Sequence, residues 1–197
     1  MKIFENKDCP YKIVSQNALA KVVEFVHLSY FKLNVDGSFM DNPGVMAAAG
    51  VIRNHLGHWV SDFSKFIGPG CSLTAELWSL LLGLKLAKDL GINKLPVESD
   101  CQQAVYLLDC DNIPITHHLS PLILECRSFP PQFSFCKINH AYREKNRCAD
   151  SLAIIAIKSM NPFVIYNTVP NELLLLFWVD LSGINYARIC KETFDPG

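Results

Sequence analysis

The stretch VDGSFMDNPG, Val35 to Gly44, crowds two carboxylates, Asp36 and Asp41, and the amide of Asn42 into a turn that follows an alternating apolar segment. Closely spaced oxygen ligands suit a hard cation, and a calcium loop is the first chemistry to consider. The spacing refuses it. Counted from Asp36, the sixth position is Asp41 where a glycine should turn the chain, and the twelfth is Ala47 where a bidentate glutamate should close the loop. Position within the elements points elsewhere. Asp36 ends a first strand, Glu76 lies in the first turn of a long helix, Asp100 directly follows a later strand, and Asp150 lies near the start of a final helix. If the first and fourth strands are parallel neighbours, their C-terminal ends bring Asp36 and Asp100 to one rim, and helices packed on the sheet offer Glu76 and Asp150 to the same point. Carboxylates gathered this way repel one another unless divalent cations neutralise them. Two magnesium ions about 4 Å apart are the natural occupants, with manganese the substitute, and such a pair suits in-line attack on a phosphodiester. An acid in any one of these places is ordinarily a cap or a solvated side chain. Glu98, Asp109, Asp111, Glu125 and Glu144 compete for the same roles, and periodicity alone does not choose among them.

The elements that must carry these acids follow from hydrophobic period. Phe31, Leu33 and Val35 alternate with Lys32, Asn34 and Asp36, the two-residue period of a strand with one face on a core. Ala47 to Arg53 and His58 to Ile67 are the next two strands, so the first third reads as an antiparallel meander. Ser72 or Thr74 can cap a helix whose Leu77, Leu80, Leu81, Leu84 and Ala87 form an apolar stripe, with Gly91 placed to end it in a left-handed conformation. Ile92 to Glu98 is a fourth strand, in which Pro96 delays regular pairing until Val97. Helices at Cys101 to Leu108 and His118 to Arg127, a fifth strand at Phe133 to Asn139 and a helix at Asn146 to Met160 complete a mixed sheet covered by helices. Residues 1–30 form an N-terminal extension with a partly helical apolar pattern over Ser15 to Leu28, and residues 161–197 form a tail whose Leu173 to Trp178 docks as a short helix.

Composition bounds the rest. The 197 residues fit one domain of ordinary size. Basic and acidic residues, 18 and 19, nearly cancel, so any polyanionic partner must be met by a local patch. The longest apolar runs, LLLLFWV and LAIIAI, fall far below the roughly 20 residues of a membrane helix. Met1 to Ala20 lacks the continuous apolar core of a secretory signal. The eight cysteines form no CxxC pair and read as free thiols of an intracellular reducing compartment, nucleus or cytoplasm.

Five segments in order, DGSFMDNPG, AGVIRNHLGHW, TAELWSLLLGLKLA, VESDCQQAV and HAYREKNRCADSLA, resemble the type 1 ribonuclease H domain, and most of all its plant, retroelement-related subfamily. The resemblance spans about Phe31 to Ile157. It implies an α/β ribonuclease H-like fold over residues 31–160, with a five-stranded mixed sheet, three strands antiparallel and two parallel, flanked by helices. It implies that Asp36 bridges two magnesium ions, that Asp150 helps hold the ion that activates the attacking water, and that Glu76 and Asp100 serve the ion on the leaving-group side. His140, ten residues before Asp150, matches a mobile histidine that positions water or assists product release. Gly37, Ser38 and Asn42 match positions that approach the RNA strand, Gln102 a minor-groove contact and Ser72 a further polar contact. Lys137, Arg143, Lys145 and Arg147 add a basic cluster able to meet phosphate.

The activity so implied is endonucleolytic hydrolysis of the RNA strand of RNA/DNA hybrids by a monomer that has no membrane partner. The alternative is a domesticated, catalytically silent module that binds nucleic acid or protein. Departures touch grip more than chemistry: the Trp- and Lys-rich protrusion of bacterial members is missing, and Leu73 replaces the polar neighbour usual beside Ser72.

Overall fold

Every second residue of Phe31–Met40 (β2) is apolar through Val35, and this strand becomes the axis of the sheet. The computed structural model describes residues 12–13, 30–42, 44–110, 114 and 116–182. A two-residue strand, Lys12–Ile13 (β1), precedes β2; Val45–Asn54 (β3) and Trp59–Pro69 (β4) follow it as the expected meander. A long helix, Ser72–Asp89 (α1), leads to Lys94–Ser99 (β5), and Gln102–Asp109 (α2) and Ser120–Arg127 (α3) lead to Phe135–His140 (β6). Arg147–Ser159 (α4), Val164–Tyr166 (β7) and Leu174–Leu181 (α5) complete the described chain.

The strand order is β1-β7-β4-β3-β2-β5-β6, with β2, β5 and β6 mutually parallel. The five expected strands are therefore present, and two short ones extend the β4 edge. The period gave no sign of β7, because three residues, Val164 to Tyr166, are too few to show alternation. The expected helix over Ser15 to Leu28 lies outside the described residues.

Each face of the sheet is covered. Phe31, Leu33 and Val35 with Ile52 and Phe63 pack with Leu77, Leu80, Leu81 and Leu84 of α1, all buried. On the opposite face Ala49 and Val51 meet Cys148 and Leu152 of α4 and Leu173 and Phe177 beside and within α5. The α5 helix packs through Phe177, with Leu173 just before it, while Leu175 and Trp178 are exposed, and Arg53 adds a salt bridge of 2.9 Å to Asp180 near its end.

Of four local expectations two change, one holds and one holds in part. First, β2 runs on to Met40, so Asp36 lies inside a strand and not at its end, because β3 pairs it all the way from Phe31 to Met40. Second, neither Ser72 nor Thr74 caps α1: the N-cap is Cys71, whose thiol meets the Thr74 hydroxyl at 3.0 Å. Third, Gly91 does take the left-handed conformation, at φ 70°, one residue beyond the C-cap Leu90. Fourth, Pro96 behaves as expected towards β2, whose pairing with β5 starts at Leu33 and Val97, yet it is already aligned with Lys137 of β6. A strand can accommodate proline where its missing N–H faces no ladder partner.

Candidate active site

The site begins where two strands part company. β2 and β5 pair only from Leu33 and Val97 to Val35 and Ser99; one residue further, Asp36 stays with β3, opposite Ala49, while Asp100 leaves with the chain towards α2. The ladder opens at this point, and Glu76 of α1 enters the opening.

Its entry depends on Gly37. A Cβ at that position would lie 2.2 Å from the Glu76 backbone nitrogen and 2.3 Å from the Ala75 carbonyl carbon, so only glycine lets α1 lie this close to β2. The Gly37 backbone and the buried Ser99 hydroxyl lie near the Glu76 carboxylate and favour its ionised form. Gly37 itself is buried beneath the helix.

The result is a cluster in which ligand oxygens of Asp36, Glu76 and Asp100 all lie within 4.8 Å of one another. Asp36 and Glu76 are 4% and 6% exposed. Burial, then the neighbouring charges of Glu76, Asp100 and Asp150, push the Asp36 carboxyl up to about 9. Burial, then Asp100, push Glu76 up to about 8, against the opposing pull of the Gly37 backbone, the Ser99 hydroxyl and the Arg143 charge. The Asp36 and Asp100 carboxylates face each other within this group.

These residues fit a divalent cation. Oε2 of Glu76 is buried with no hydrogen-bond partner, which costs free energy unless something positive meets it. The donor set is all carboxylate oxygen, the preference of magnesium and manganese. Opposite ligands of such an ion stand about 4.2 Å apart, so a spread of 4.8 Å needs little closure.

Asp150 stands differently. It occupies the first turn of α4 as expected, and its charge is felt at Asp36, but it lies outside the three-carboxylate group, and its Oδ1 accepts from Arg143 Nη2 at 2.8 Å. His140, the last residue of β6, is exposed on the rim, with Nε2 3.2 Å from the Asp100 backbone oxygen. Around the opening, Ser38 is half-buried on β2, Asn42 is exposed in the following turn, and Ser72 and Gln102 are exposed as the first residues of α1 and α2. Asp41 is exposed in the turn and is not one of the three grouped acids.

Two contributors escaped the sequence reading. Asn146 is the N-cap of α4, a place where its type predicts a bond to the helix backbone, yet it makes no such bond. It is 1% exposed, and its Nδ2 donates to the Val35 carbonyl at 2.7 Å and to Asp36 Oδ1 at 3.3 Å, tying the helix that carries Asp150 to the strand that carries Asp36. Ser99 is the other. Its only sequence signal is its place next to Asp100 at a strand end.

The sequence profile described as reverse transcriptase-like matches residues 34–156, which include all four carboxylates and His140. The chain belongs to this family. It is a ribonuclease H-like protein, as the five ordered motifs implied. The "Putative ribonuclease H protein" of Arabidopsis thaliana is 32% identical over 177 residues, covering 89% of this chain; the chain spans 28% of the length of that relative. The structure of RNase H1 from the archaeon Halobacterium salinarum superposes with a TM-score of 0.62 at 25% identity, over 66% of this chain and 98% of that one. LC11-RNase H1, solved in complex with an RNA/DNA hybrid, superposes with a TM-score of 0.60 at 21% identity, over 66% of this chain and 98% of its own, and shows the same fold. No helix among the described residues is long and apolar enough to cross a membrane.

Proposed function

We propose that this chain hydrolyses the RNA strand of RNA/DNA hybrids endonucleolytically, leaving 3′-hydroxyl and 5′-phosphate ends. The observation that carries the reading is the convergence of Asp36, Glu76 and Asp100, from a strand, a helix and a strand end, within 4.8 Å, with Glu76 Oε2 unpartnered. Magnesium or manganese held by Asp36, Glu76, Asp100 and Asp150 would supply charge neutralisation for in-line displacement at phosphorus and make water acidic enough to attack.

The chain's own groups set the geometry. Asn146 holds the Asp36 carboxylate, and the close approach of α1 over Gly37 sets Glu76 beside it, so both acids are placed before anything binds. With Nε2 of His140 donating to the Asp100 carbonyl, Nδ1 is left as an acceptor that can take a proton from water or pass one to a departing group. Ser38, Asn42, Ser72 and Gln102, at the same end of the sheet, are the proposed contacts to an A-form-like duplex read through its shape and 2′-hydroxyls. Lys137 and Lys145, both exposed, would meet phosphates further along.

The test is cleavage of a labelled hybrid by the purified chain in magnesium, with single-stranded and duplex RNA as controls. Cleavage confined to the hybrid and abolished in Asp36→Asn is expected. Equal cleavage by that variant, or none by the wild type, would refute the reading; hybrid binding without cleavage would identify a silent binding module instead.

A further inference from the structure

Arg143 stands beside the carboxylates, and the proposed chemistry leaves it without a task. It belongs to the short 3-10 turn Arg143–Lys145 just before α4, and its guanidinium reaches across to Asp150 Oδ1 at 2.8 Å. The pair is lopsided: the Arg143 side chain is 74% exposed and the Asp150 side chain 23%. The charge of Arg143 also reaches Asp36, Asp100 and Glu76. Asp150 is the one proposed ligand outside the group of three that lie within 4.8 Å. The cluster therefore offers an assembled position lined by Asp36, Glu76 and Asp100, and a second position whose carboxylate already has a cation.

We propose that Arg143 is a built-in counter-ion that holds Asp150 until a divalent cation displaces it, so that the site fills in order, first at Asp36, Glu76 and Asp100 and then at Asp150. The inference rests on reading the site as a two-cation centre. A guanidinium and a divalent cation compete for the same carboxylate oxygen. An ion pair this exposed is weak and screened by salt, which makes it displaceable. The displaced guanidinium remains tethered nearby, and its charge opposes the incoming ion. At about 6 Å in a water-like dielectric this repulsion lowers affinity roughly tenfold. The same turn is anchored by Asn146, which is buried and bonded to Val35, so Arg143 can swing without disturbing the start of α4.

Manganese titration of the whole chain without nucleic acid, followed by calorimetry and by the electron paramagnetic resonance of the free ion, tests this. In the wild type a stronger and a weaker site are expected. Arg143→Ala should tighten the weaker site roughly tenfold and move the stronger one much less. Arg143→Lys, which keeps the charge, should stay near the wild type, and Asp150→Asn should remove the weaker site in either background. Thermal melts of Arg143→Ala and Arg143→Gln check that each variant is folded; an anchoring role alone would lower the melting temperature and leave the manganese isotherm in place. An unchanged or weakened second site in folded Arg143→Ala or Arg143→Gln overturns the proposal. If that result comes with hybrid cleavage and with manganese binding lost in Asp36→Asn, ordered loading alone has failed. If the wild type binds no manganese, the two-cation reading fails and ordered loading with it.

Discussion

Asp36→Asn should abolish cleavage and, in the absence of divalent cations, make the protein more stable. The Asp36 carboxyl is raised from 3.8 to about 9 by burial and by three acidic neighbours, so near neutrality the metal-free folded state retains a proton that the unfolded chain releases. The sign follows. Between the ordinary carboxylate range and about 9 the folded state binds more protons, and wild-type stability therefore falls as pH rises through that window. At pH 7 the interval above the unfolded value is about three units, and at about 1.4 kcal/mol per unit the ceiling on the cost is about 4 kcal/mol. Asparagine at 36 removes the ionisable group and keeps the shape. Its Oδ1 can still accept from Asn146, and its amide can donate to the facing Asp100 carboxylate. A gain of about 2 to 3 kcal/mol is expected at pH 7 to 8, or about 5–10 °C in melting temperature for a chain of this size. The gain should shrink towards pH 5, only about one unit above the unfolded value, where the ceiling on the cost falls to about 2 kcal/mol. Magnesium at a thousand times its dissociation constant should reverse the order by stabilising the wild type alone, by about 4.1 kcal/mol. Urea denaturation of both proteins in chelator, from pH 5 to 8, is the assay. A variant less stable than the wild type at pH 8, or parallel pH dependences for the two, would refute the reasoning.

Other perturbations separate positioning from packing. Asn146→Ala strips the buried Val35 carbonyl of a 2.7 Å donor and frees the Asp36 carboxylate, so urea curves should show a loss of about 1–3 kcal/mol; manganese affinity should fall about 10–100-fold, as for other groups that orient ligands. Gly37→Ala places a methyl 2.2 Å from the α1 backbone, and because backbone cannot give way like a side chain, about 3 kcal/mol or more should be lost along with metal binding, read by melting and by titration. His140→Ala removes an exposed side chain from a strand end, so the melting temperature should hold within a degree or two while kcat on a hybrid falls about a hundredfold.

Much of this molecule was legible because its signals are local. The alternation at Phe31, Leu33 and Val35, the leucine stripe of α1 and the glycine at 91 each report on a few neighbouring residues, and each is realised in the structure. The order of elements then places Asp36, Glu76 and Asp100 near one rim by topology alone, and these three do converge. Three things needed the tertiary structure. β2 continues past Asp36 because β3 pairs with it to Met40, and a strand's end is decided by whatever lies alongside it. Asn146 looks like a helix cap, but its amide goes to Val35 and Asp36, which are 111 and 110 residues away. Asp150 reads as an equal member of a four-carboxylate set, yet Arg143 has claimed it. Residue type and period determine which element a side chain belongs to and which way it faces; the partner of a polar atom is chosen among groups distant in sequence, by geometry that exists only once the sheet and its helices have closed on one another.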